Sequence, residues 1–197
     1  MLVKANSMRK QGELMDRNKI EIQQLIKSTM KAVGMDLELK HESCGINMSY
    51  NFIRNNVGYD ATRIQEALNE MQTPIAPEPY IQALTLHELG HALDREALME
   101  SLERTMEIVE MKNRYSLYEQ YNDSNLLAML IEEHEMNIAF EDTAWKNAEE
   151  MNKKYELVDW TSFQEVKEQG LATYLSLYNE DLQLYTNLVA LHSEQIA

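Results

Sequence analysis

His87-Glu88-Leu89-Gly90-His91 places two imidazoles and a carboxylate within little more than one helical turn. Residues four apart on an α-helix stack on one face, so the two rings stand side by side. Two neutral imidazoles in that arrangement bind one zinc ion, and Glu88 between them is positioned as general base for a metal-bound water. The chain has 5 His and 25 Glu among 197 residues. Random placement would give this pattern about 0.02 times per chain, so the match carries weight as a motif.

The neighbouring residues predict a helix from Pro79, with Leu86, Leu89 and Leu93 as its core stripe. Ala83, His87, His91 and Asp94 lie on an adjacent face. Gly90 inside that helix costs about 1 kcal/mol relative to Ala, and its missing side chain lets another backbone approach closely. A catalytic zinc needs three protein ligands and one open position. The short extension used by metzincins is excluded, because Asp94 and Ala97 stand where its Gly and third His belong. The gluzincin arrangement instead takes a Glu from a later helix as third ligand.

Ile131-Glu132-Glu133-His134-Glu135-Met136-Asn137 supplies candidates. Glu135 is favoured, because it sits between Ile131 and Ile138 on a face that also carries Leu127 and Trp145. A carboxylate buried there needs a partner or a metal. Glu132, Glu133, His134, Glu149 and Glu150 remain alternatives. An unbroken helix from Pro79 to Gln120 would leave Glu135 about 30 Å from His91, so this choice requires a bend between Leu93 and Ser101. Asp94 and Asp142 are candidates to orient a ligand imidazole by accepting its second N–H. Tyr115, Tyr118 and Tyr121 are candidates to stabilise an oxyanion.

Composition predicts one domain spanning 1–197, with 44% hydrophobic and 26% charged residues as in ordinary globular proteins. Only 6 Gly and 3 Pro leave little room for linkers and favour helices. A net charge of −15 argues against nucleic acid and against anionic membrane surfaces as partners. Cys44 is the single cysteine, and the first residues contain no apolar run that would serve as a signal peptide. No window is long and apolar enough for a transmembrane helix. A reducing, cytoplasmic setting is expected.

The predicted order begins with an N-terminal helix at 4–33, striped by Leu14, Ile22, Leu25, Ile26, Met30 and Val33 and ended by Gly34. A small antiparallel sheet follows over 36–53, its strands at 36–41 and 45–53 joined near Cys44. Asp60 should cap a helix running to Met71. The zinc-site helices occupy 79–152, in segments 79–93, 96–112 and 126–152, with a polar loop at 121–125. Ser162 and Glu165 have the form of a capping box for a last helix at 163–194. That helix turns Leu171, Leu175, Tyr178, Leu182, Tyr185 and Val189 inward.

The segment His87–Asp94 resembles the motif helix of gluzincin-type HExxH zinc metallopeptidases, which include the ImmA/IrrE group and the lethal-factor-like proteases. Glu135-Met136-Asn137, with Ala139 and Phe140 after it, is similar to the Glu-Ala-Asn segment that supplies the third ligand in ImmA/IrrE proteins. The resemblance covers roughly residues 46–145. It implies an α+β, mainly α, zincin-like fold, with an active-site helix, a glutamate-bearing second helix and an edge strand at 46–53 beside the cleft. It further implies a zinc-dependent endopeptidase acting on a cytoplasmic protein such as a repressor. The alternative is a non-catalytic zinc-binding regulatory or interaction protein.

Overall fold

The computed structural model describes residues 18–194. In chain order the elements are α1 (18–32), β1 (Glu38–His41), β2 (Met48–Asn51), β3 (Asn56–Tyr59), α2 (Ala61–Glu70), α3 (Pro77–Leu93), α4 (Arg95–Glu100), α5 (Leu102–Arg114), α6 (Leu117–Asn122), α7 (Ser124–Tyr155) and α8 (Trp160–Glu194). The protein is thus mainly helical with a small sheet, as expected. No helix among the described residues is long and apolar enough to cross a membrane. The chain divides into two compact units, Met1–Leu93 with Ala144–Lys167 and Asp94–Thr143 with Glu168–Ala197.

In the first unit α1 buries Ile22, Ile26, Met30 and Val33, four residues of the predicted stripe. The predicted start of this helix, with Leu14, lies outside the described residues. Gly34 ends it at φ +77°, with its N–H bonded to Lys31 O and the Met35 N–H bonded to Met30 O at 3.0 Å. That pair of bonds closes the helix end and needs a left-handed residue, which glycine adopts freely.

The sheet differs from the expected hairpin. Its order is β1-β3-β2, with β1 parallel to β3 and β2 antiparallel to β3. The tight connection therefore falls after β2 rather than at Cys44. It turns through Asn55 at φ +54°, and the Asn51 side chain accepts the Arg54 N–H at 2.9 Å. β3 is the central strand and all four of its residues are buried. The strand has only four residues, and Gly58 carries no side chain, so it is too short for periodicity to mark it.

Asp60 caps α2 as expected, its Oδ1 accepting the N–H groups of Thr62 (3.0 Å) and Arg63 (3.2 Å), while Oδ2 accepts the Gly45 N–H at 3.1 Å. Burial pushes the Asp60 carboxyl up, but the backbone donors at Arg63, Gly45, Thr62 and Cys44 outweigh it and hold the group below its ordinary range. α3 begins at Pro77, two residues before the expected start, and it buries every residue from Thr85 to Gly90. β2 packs beside α3, where Thr85 Oγ1 donates to Ile81 O at 2.7 Å and lies 3.9 Å from Met48 Sδ. The last turns of α7 and the start of α8 complete this unit through Trp145, whose ring meets Phe163 edge-on at 5.7 Å. Asn152 ties the α7–α8 corner by bonding both the N–H and the C=O of Val158 at 2.9 Å.

The second unit is built around Ile108, Met111, Leu127 and Leu130, packed against Tyr115, Tyr185 and Leu188. The segment predicted as one helix at 96–112 is two, with Ser101 between α4 and α5. The expected polar loop at 121–125 shrinks to Asp123, because Ser116 and Glu119 form a capping box that starts α6. Asp123 Oδ1 then accepts the N–H groups of Asn125 and Leu126 and opens α7. α8 starts at Trp160 with Asp159 accepting the Ser162 N–H at 2.9 Å, so Ser162 is not its cap. Along α8, Leu175 and Val189 are exposed while Asp181 is buried.

Candidate metal centre

His87 and Glu88 are buried in α3, and His91, one turn on, keeps partial solvent access. The His87 and His91 ring centroids are 4.6 Å apart with the planes at 74°. On its other side His87 stacks on Trp145, at 4.3 Å between centroids and 24° between planes. The predicted i, i+4 pairing of the imidazoles is therefore present, and an aromatic face fixes one of the two rings.

The carboxylate that joins them is Glu141 of α7, and not Glu135. One ligand atom from each of His87, His91 and Glu141 lies within 4.8 Å of the others, close enough to hold a metal ion. Donors around a tetrahedral zinc with bonds of about 2.1 Å stand about 3.4 Å apart, a difference that side-chain torsions cover. Glu141 is buried, as a carboxylate compensated by a positive centre can be. The two-imidazole, one-carboxylate donor set fits a divalent transition metal and leaves a further position open.

Glu135 is exposed and accepts a hydrogen bond from Tyr178 OH at 3.1 Å. This carboxylate raises the Tyr178 hydroxyl above its ordinary range. Glu135 stands six residues before Glu141, which is about 9 Å of helix rise and about 120° around the helix axis away. The helical path does break where a bend was required, at Asp94 and again at Ser101, yet it brings a later residue to the imidazoles.

Each of the other sequence candidates has its own partner. Glu132 accepts from Arg104 Nε at 2.8 Å, and that hydrogen bond holds its carboxyl below the usual range. Glu133 pairs with Lys112 Nζ at 2.8 Å. His134 Nε2 lies 2.8 Å from Asp181 Oδ2, which also accepts from Tyr121 OH at 3.2 Å. Glu149 meets Lys153 at 3.1 Å and Lys167 at 3.3 Å, and Glu150 meets Lys153 at 2.9 Å.

Asp94 occupies the junction between α3 and α4 and makes no side-chain cap bond. Asp142 is half-buried directly after Glu141. Of the tyrosines considered for an oxyanion, Tyr118 is exposed, Tyr115 packs on the second unit's core, and Tyr121 serves Asp181. Tyr121 is raised by burial first and by Asp181 second.

A signal for Glu141 was present in the sequence. Leu127, Ile131, Ile138, Trp145 and Ala148 fall on one seam, and dividing its two gaps of seven into steps of three and four lands on His134 and Glu141. Glu135 is one residue off the seam, and one residue is about 100° of rotation. Comparison of the chain with protein-family models, with curated proteins and with solved structures gives no significant match.

Proposed function

We propose that this chain is a zinc-dependent endopeptidase. The observation that carries the reading is the convergence of His87, His91 and Glu141 within 4.8 Å, with Glu88 buried on the same turn of α3. Two imidazoles and one glutamate form a donor set used by catalytic zinc. Zinc held there supplies a Lewis acid that polarises the scissile carbonyl and acidifies the attacking water. Glu88 takes the proton of that water and returns it to the leaving amine. Trp145 keeps the His87 ring in its orientation by stacking.

β2 is an edge strand packed beside α3, so an extended peptide can add to it through main-chain hydrogen bonds. The substrate in this reading is a cytoplasmic protein, of which regulatory proteins such as repressors are one class. The test is metal analysis of protein purified without chelators, together with wild type and Glu88→Gln incubated with a proteome-derived peptide library. We expect one zinc per chain in both proteins and cleavage by the wild type alone, a loss of about 10²- to 10⁴-fold. Absence of stoichiometric metal overturns the metal reading. Equal cleavage by both removes Glu88 from the chemistry, and zinc without cleavage favours a regulatory zinc protein.

A further inference from the structure

We infer that Gly90 and Asn147 are positioning residues that set Glu141 against the two imidazoles, an inference that rests on the metal centre proposed above. A Cβ added to Gly90 would lie 2.9 Å from the carbonyl carbon of Ala144 and closer still to its oxygen. The neighbour is backbone, so no side chain can swing aside, and any residue larger than glycine must push α3 and α7 apart. Ala144 follows Glu141 by three residues on α7, and Gly90 directly precedes His91 on α3. The contact that requires glycine is thus one helical turn from the ligand set on both helices.

Asn147 fixes the same crossing with a hydrogen bond. Its Nδ2 donates to Gly90 O at 3.0 Å. Gly90 is among the last four residues of α3, whose carbonyls have no partner inside the helix. Asn147 therefore satisfies a helix-end carbonyl and sets the axial register of α7 in one contact. The close approach at Gly90 sets the separation. His87 stacked on Trp145 sets the rotation of α7 about its own axis. Separation, register and rotation together determine where Glu141 reaches.

The experiment titrates the metal-free full chain with Zn2+ in competition with a chromophoric chelator, and records the d–d spectrum at saturating Co2+. Asn147→Leu should weaken Zn2+ by about 10- to 100-fold, the range for residues that orient metal ligands. It should also alter the Co2+ bands while helical content stays that of the wild type. Asn147→Gln keeps a donor amide and should recover part of the loss. Gly90→Ala should weaken binding further, and adding Ala144→Gly should not restore it, because the obstruction is the Ala144 backbone. If wild type binds Zn2+ and both Asn147→Leu and Gly90→Ala keep its affinity and Co2+ spectrum while losing only thermal stability, the positioning role is wrong and the metal centre stands. If wild type takes no metal, the metal centre fails and this inference with it.

Discussion

Replacing Glu141 by Gln separates the two glutamates directly. Structural zinc sites with four protein ligands are worth about 10–16 kcal/mol, so one ligand accounts for about 2.5–4 kcal/mol. Gln keeps an oxygen donor without the charge, and a loss of about 3 kcal/mol, or two decades in Kd, follows. Glu141 is buried, so each protein is compared with its own metal-free form and only the zinc-dependent rise is read. At zinc 100 times the wild-type Kd, wild type gains about 2.7 kcal/mol and the variant about 0.4 kcal/mol. In a chain of this size that is about 5–11 °C against about 1–2 °C of zinc-dependent rise in Tm. Glu135→Gln weakens only an exposed bond from Tyr178 and should leave the rise unchanged. Calorimetric scans of the three proteins with and without zinc are the assay. A rise lost in Glu135→Gln and kept in Glu141→Gln would refute the assignment.

Two further substitutions probe how the chain holds the site's surroundings. The lowered Asp60 pKa makes its contribution to stability complete above the ordinary carboxyl value and lost as pH falls through the lower native one. Asp60→Asn should therefore flatten the fall in urea midpoint between pH 5 and pH 2, to within the range set by the reference carboxyl value of about 3.9; parallel wild-type and variant curves would contradict this. Asn152→Ala leaves the N–H and C=O of Val158 without the partners they now have and should lower unfolding free energy by about 2–4 kcal/mol. A change below about 1 kcal/mol by urea titration would show that the corner does not depend on those bonds.

The local rules that worked in the sequence were those with a nearby cause. Asp60 was legible as a cap because its partners are two and three residues away. Gly34 was legible as a terminator, and the helix breaks between Leu93 and Ser101 where the choice of Glu135 required a bend, although Glu141 is the residue brought to the imidazoles. What failed depended on distant chain. β3 is four residues long, and its place between β1 and β2, with all four residues buried, is set by elements elsewhere in sequence. Glu135 was favoured because Ile131 and Ile138 bracket it, but bracketing in sequence is not position on a helix face. Its solvent-facing role emerges only when Tyr178 of α8 is alongside.

The buried polar residues also divide by what the fold requires of them. Asp60, Gln120 and Asn152 serve turns and helix ends, each bonding backbone groups that secondary structure leaves over. His87, Glu88 and Glu141 lie mid-helix, where there is no end to cap and an apolar residue would pack without desolvation cost. Gly90 adds a cost of about 1 kcal/mol to the same two turns of α3. Four positions that weaken the fold are thus concentrated around one crossing, and the structure gives the glycine a reason that concerns Ala144 backbone rather than general stability. Local rules are broken together where a site requires it. A metal held by His87, His91 and Glu141 would offset the cost at two of these four positions, His87 and Glu141, and the close approach at Gly90 would serve the same centre.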